Sequence, residues 1–97
     1  MRKPGGLDDL AIHVAARARN MSMVQFLVKH GAKMDTRGFD GETPLHIATE
    51  LRYYAMMRFL LVAGADAAAK NANGEPAIDD AAMKAFRKRY PVVDLTL

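Results

Sequence analysis

Two histidines, His13 and His46, stand 33 positions apart (46 minus 13), and each is followed two residues later by an alanine. Imidazoles repeated at a fixed spacing could ligate a metal or serve as bases, but two ligands with no third make a poor metal site. Asp79 and Asp80 are adjacent carboxylates, the residue type of acid–base chemistry. Neighbours on a helix do not face each other, and in a first helical turn both instead favour the positive end of the helix dipole. Ser22 is the only serine, and nothing in its local sequence activates it as a nucleophile. His30 precedes Gly31 at what reads as a helix end, where a donor meets the dipole favourably. The chain has no cysteine, which excludes disulfides, thiolate metal sites and a cysteine nucleophile. Gly5–Gly6 stands alone, so there is no glycine-rich phosphate loop. No catalytic, cofactor-binding or metal residue is expected, and the chain does not read as an enzyme.

The elements that would carry these residues repeat. A shift of 33 positions also superposes Ala15 on Ala48, Arg19 on Arg52, Met23 on Met56, Phe26 on Phe59, Leu27 on Leu60, Gly31 on Gly64 and Ala32 on Ala65. The same shift carries Gly41, Glu42 and Ala48 onto Gly74, Glu75 and Ala81. Self-similarity at this period signals a stacked array. Within the central unit Thr43 caps a helix and Pro44 suits its first position, where a missing N–H costs nothing. A second helix is predicted over about 55–63, with Met56, Met57, Phe59 and Leu60 turned inward and Gly64 ending it as Gly31 ends its predecessor. The intervening "KMDTRGFDGE" and "DAAAKNANGE" read as extended arms with turns at Arg37–Asp40 and Lys70–Asn73. A helix pair this short cannot bury its own apolar stripe; a stack can.

Composition agrees. The chain has 97 residues, 51% apolar and 26% charged, an ordinary globular balance that fits one domain. No apolar stretch approaches the ~18 residues of a membrane span, and no signal core follows the basic start because Asp8 and Asp9 interrupt it. Together with the absence of cysteine, this leads us to expect an intracellular protein with no membrane contact. The net charge of +3 is low for a general polyanion binder; much of it sits in Lys84, Arg87, Lys88 and Arg89.

The phrase "GETPLHIA" followed by "FLLVAGAD", at this period, resembles the ankyrin-repeat family. The resemblance covers about residues 8–83 and is best at 38–70. It implies an all-α solenoid of antiparallel helix pairs joined by hairpin-like loops: one domain over 1–97, with repeat 1 about 6–37, repeat 2 about 38–70, and repeat 3 with a C-terminal cap about 71–97. It also implies that the histidines support the loop at the helix start. The first unit lacks Thr-Pro, so Asp9 is expected to cap its helix. In the third, the proline comes one place early, so Glu75 or Asn73 should cap and Pro76 open the helix. Arg19 and Arg52 stand where the family usually has glycine. A side chain forced to positive φ costs roughly 1–2 kcal/mol, so a differently built turn is expected there.

The family's function, binding another protein through hairpin tips and the concave helix face, transfers position by position. It gives Arg37, Phe39, Asp40 and Glu42 on the first hairpin and Lys70, Ala72, Asn73 and Glu75 on the second. Along the helices it gives Arg17 and Ala18, then Glu50 and Leu51, then Met83 and Lys84. Aromatic and arginine side chains anchor interfaces most often, which singles out Phe39 and Arg37. Of Tyr53 and Tyr54, one is expected between repeats and the other in water. The basic C-terminal segment reads first as a solvated cap, with Phe86 and Tyr90 covering the last repeat and Val92, Val93 and Leu95 folding back over it. The alternative is nucleic-acid or acidic-surface binding through this basic C-terminal helix, and 95–97 could add to a sheet edge as a peptide ligand. No cofactor or small-molecule ligand is expected.

Overall fold

The computed structural model describes residues 7–91, and over them the chain forms five α-helices: α1 (Leu7–Arg17), α2 (Met21–Lys29), α3 (Pro44–Glu50), α4 (Tyr54–Val62) and α5 (Asp80–Arg89). The α1/α2 and α3/α4 pairs are the repeats, and α1 lies against α3. One core runs through the stack: Ile12, Ala15, Ala16 and Val24 from the first pair, Leu45, Ile47, Ala48, Met56, Met57 and Leu60 from the second, then Ala77, Ile78 and Phe86. None of the helices is long and apolar enough to cross a membrane.

Local chemistry sets the helix ends. Thr43 Oγ1 accepts from the His46 N–H at 3.3 Å while His46 Nδ1 accepts from the Thr43 N–H at 3.1 Å, so each side chain satisfies the other residue's otherwise orphaned N–H. Pro44 follows as the first helical residue. At the first unit the helix begins at Leu7, two residues before the expected cap, so Asp9 lies inside the first turn. Asn20 caps α2 by accepting from the Met23 N–H at 3.1 Å.

The turn inside each repeat is not built differently after all. Arg19 and Arg52 take the left-handed conformation directly, at φ 57° and 55°. Paired bonds close both turns: Arg19 and Asn20 N–H donate to Ala16 and Ala15 O (3.0 and 2.9 Å), and Arg52 and Tyr53 N–H to Thr49 and Ala48 O (3.0 and 2.9 Å). This is a glycine-type helix end built on arginine. Arg19 offsets part of its strain, since its guanidinium lies 4.7 Å from the centre of the Tyr53 ring and donates to Leu51 O at 3.2 Å. Arg52→Gly is therefore expected to stabilise the fold by about 0.5–1 kcal/mol. It relieves ~1–2 kcal/mol of strain against ~0.4–1 kcal/mol of added unfolded-chain entropy. Arg19→Gly should gain less, because it also loses the Tyr53 and Leu51 contacts; urea midpoints of the two variants check the order. Both tyrosines are half-buried, so neither simply faces water.

The third unit departs from expectation. Neither Glu75 nor Asn73 caps a helix there, and Pro76 opens none. Residues 76–78 stay non-helical: Pro76 bridges Lys70, the chain bends at 77–78, and Ala77 and Ile78 N–H donate to Ala69 and Ala67 O at 2.9 and 3.0 Å. The helix starts only at Asp80, with Asp79 Oδ1 capping the Ala82 N–H at 2.8 Å. Among its described residues the unit thus has one helix instead of two. Ala81, exposed on the first turn of α5, is not equivalent to the buried Ala15 and Ala48. The helix is held down by Phe86, fully buried, with the half-buried Tyr90 5.4 Å away ring to ring. Residues 92–97, with the expected fold-back and C-terminal ligand, lie outside the described residues.

Repeat equivalence exposes one end of the stack. Met23 is 44% exposed and Phe26 54%, whereas Met56, one period later, is fully buried and Phe59 half-buried. Among the described residues, equivalent positions on α2 and α4 thus differ in cover.

Candidate functional site

The hairpin between the pairs closes at residues 38–41, where Gly38 N–H donates to Glu42 O (2.8 Å) and Gly41 N–H to Gly38 O (3.1 Å). The next hairpin repeats it at 71–74, with Asn71 N–H to Glu75 O (2.9 Å) and Gly74 N–H to Asn71 O (3.0 Å). Each turn lies one residue later than the sequence predicted. In the second, Asn71 Oδ1 also accepts from the Asn73 and Glu75 N–H groups, at 2.9 Å each, fixing the tip from within.

Each hairpin is tied to the helix of the preceding repeat by a histidine. His13 Nε2 bonds Glu42 O at 3.0 Å and His46 Nε2 bonds Glu75 O at 2.9 Å. Because His46 Nδ1 accepts from the Thr43 N–H, its proton sits on Nε2, which donates to the Glu75 carbonyl. These imidazoles are structural ties, as the resemblance implied. The first hairpin packs so closely on His13 that a Cβ on Gly38 would come within 2.9 Å of the ring.

The hairpins are also tied to each other. Ala72 N–H donates to Asp40 O at 2.8 Å, and Arg37 Nη1 donates to Gly41 O at 3.0 Å and to Lys70 O. The close approach explains Gly41, at φ 70°, where a Cβ would meet Ala72 N at 2.8 Å. Arg37, singled out as a contact residue, thus clasps the two hairpins while its side chain stays exposed. Phe39 contributes its backbone to the short 3-10 turn 39–41; its side chain lies outside what is described. Asp40, Lys70, Ala72, Asn73 and Glu75 are exposed along this edge.

Beside the first hairpin Arg17 is shared between Glu42 (3.1 Å) and Glu50 (3.3 Å). Three residues singled out separately therefore form one ion-pair cluster, drawn from α1, the hairpin and α3. Leu51 is half-buried at the turn, Met83 is half-buried on α5, and Ala18 and Lys84 are exposed. Lys84, Arg87, Lys88 and Arg89 are exposed on α5, with Arg89 over the Tyr90 ring at 5.7 Å. Sequence reasoning missed one feature, an open pocket of about 170 Å³ lined by Leu10, His13, Val14, Arg17, Gly38, Glu42 and Ile47. The signal was there: Val14 falls one period before Ile47, so it belongs to the same row on the uncovered first repeat.

Helix pairs stacked at a 33-residue offset, with hairpins held edge to edge, define a helical-repeat solenoid. A family model described as ankyrin repeats matches residues 3–71, and the chain belongs to the ankyrin-repeat family. Among solved structures it is similar to the ankyrin repeat domain of Bcl-3, described as a unique member of the IkappaB protein family. That likeness has 33% identity and a TM-score of 0.65 over 69% of this chain and 29% of the other; this chain thus spans under a third of that one's length. Comparison with curated proteins gives no match. Ankyrin repeats are in general protein–protein interaction modules.

Proposed function

We propose that this chain is a non-catalytic binding module, acting as a single domain over the three units delimited above, inside the cell. It holds a partner protein against the hairpin edge and the concave helix face, so as to scaffold, inhibit or recruit it. The observation that carries this reading is the rigidity of the edge. His13, His46, Arg37 and the Ala72–Asp40 bond fix both hairpins, so exposed side chains there lose little freedom on binding. Phe39, Asp40, Lys70, Ala72, Asn73 and Glu75 contribute from the tips, and Arg17, Glu42, Glu50, Leu51, Met83 and Lys84 from the helix side.

The test is affinity capture from native cells, using the wild type, a Lys70→Glu/Asn73→Arg double variant and an Arg87→Glu/Lys88→Glu double variant as baits. These substitutions spare the clasps within and between the hairpins. The hairpin variant should lose the specific partner by more than about tenfold, with the partner retained by the helix variant and through moderate salt. Equal recovery by wild type and hairpin variant contradicts the reading. Loss confined to the α5 variant, with a steep fall in affinity as salt rises, favours nucleic acid or an acidic surface on the basic helix instead.

A further inference from the structure

The open pocket between α1, the first hairpin and α3 has a shape and a charge pattern that together select a ligand chemistry. Its floor and walls are apolar: Leu10 and Val14 from α1, Ile47 from α3, and the face of the His13 ring. Val14 is 68% exposed while Ile47, beside it, is 1% exposed, so the pocket's outer wall stands open to solvent. At about 170 Å³ it is close to the ~150 Å³ of an apolar cavity that accepts benzene, and so has room for one phenyl- or isobutyl-sized group.

The rim is not neutral. Arg17 and Glu42 line the pocket, and Glu50 joins them through the shared guanidinium. One cation among two carboxylates leaves the cluster with an unbalanced negative charge. Glu50 is more than half exposed, whereas Glu42 is four-fifths buried, so the available carboxylate is that of Glu50. An incoming positive charge can pair there without displacing Arg17 from Glu42.

We infer that this pocket is a subsite for a peptide segment carrying a Phe- or Leu-sized side chain next to a lysine or arginine, the apolar group entering between Val14 and Ile47 and the cation pairing with Glu50. The inference rests on the binding reading above and names the partner chemistry for one part of that surface. An apolar residue beside an acidic one is disfavoured, because the acid would face Glu50.

The experiment is a titration of the whole chain, methyl-labelled at Leu, Val and Ile, with three capped dipeptides: N-acetyl-Phe-Lys-amide, N-acetyl-Ala-Lys-amide and N-acetyl-Phe-Glu-amide. The Phe-Lys probe should shift the Leu10, Val14 and Ile47 methyls saturably, with a Kd of roughly 1–10 mM as expected of one side chain. Ala-Lys should leave those methyls unmoved, and Phe-Glu should bind at least about threefold more weakly. Glu50→Gln should weaken Phe-Lys and bring it level with Phe-Glu. Val14→Asp, at an exposed position that leaves the amide spectrum otherwise unchanged, should abolish binding. No saturable shift at these methyls with Phe-Lys, or equal binding of Phe-Lys and Phe-Glu, overturns the proposal. Either failure is separable from failure of the broader reading, which is decided by capture through the hairpin edge and does not use these dipeptides.

Discussion

Phe86→Ala lowers the stability of the domain by about 3–5 kcal/mol, the usual cost of emptying a fully buried aromatic site. Phe86 has no exposed surface, and α5 stands without the paired helix that steadies α1 and α3. Ala82 and Met83 pack only partly against the core, and the Tyr90 ring, with Arg58 5.5 Å from its centre, adds a half-buried contact, whereas Phe86 is the fully buried side chain of α5. In a repeat array each layer is stabilised chiefly by its neighbour, so the damage concentrates at this end. Amide exchange should accelerate most along residues 80–89 and least in α1. A urea midpoint shift worth under ~1 kcal/mol, or exchange that accelerates evenly along the chain, would contradict this role for the ring.

A matched pair of truncations gives the second large effect. Met56→Ala should cost about 2–5 kcal/mol, while Met23→Ala, at the equivalent position one repeat earlier, should cost under ~1 kcal/mol. The residue type, helix position and flanking glycine-ended helix are the same. The difference is cover: Met56 is fully buried within the stack, and Met23 is nearly half exposed. Urea unfolding of both variants, with m-values compared to exclude a change in the unfolded state, measures the gap. Equal losses would mean that the two repeats do not stack in the order described.

Much of this architecture is legible in the residues because local chemistry and repeat spacing agree. Thr43, Pro44 and His46 specify a helix start by hydrogen bonding alone, and Gly31 and Gly64 specify helix ends by the φ they permit. Two other features were open to misreading for opposite reasons. Arg19 and Arg52 suggested a different turn because a propensity argument sees only the cost of left-handed backbone; the Tyr53 ring and Leu51 carbonyl that offset it for Arg19 come from beyond the turn. Pro76 suggested a helix start, since proline suits that position. The alternative, bonding 76–78 back to 67–70 along a non-helical path, depends on a pairing across the hairpin that local sequence does not display.

The proposed binding surface follows the same division. The residues of the hairpin edge could be carried over from the family pattern. That Arg17, Glu42 and Glu50 form one cluster, and that Arg37 clasps two hairpins, depends on how successive layers meet in space. The pocket beside Val14 arises for the same reason: a row of side chains covered in the second repeat opens at the first.

Layered cover is best read directly from the methionine methyls. With the Met methyls labelled and a soluble paramagnetic agent added, the Met23 signal should broaden strongly while Met56 and Met57 stay sharp, as residues 44%, 0% and 0% exposed should behave. Met56 broadening as fast as Met23 would contradict the stacking on which the rigid hairpin edge, and the function proposed for it, depend.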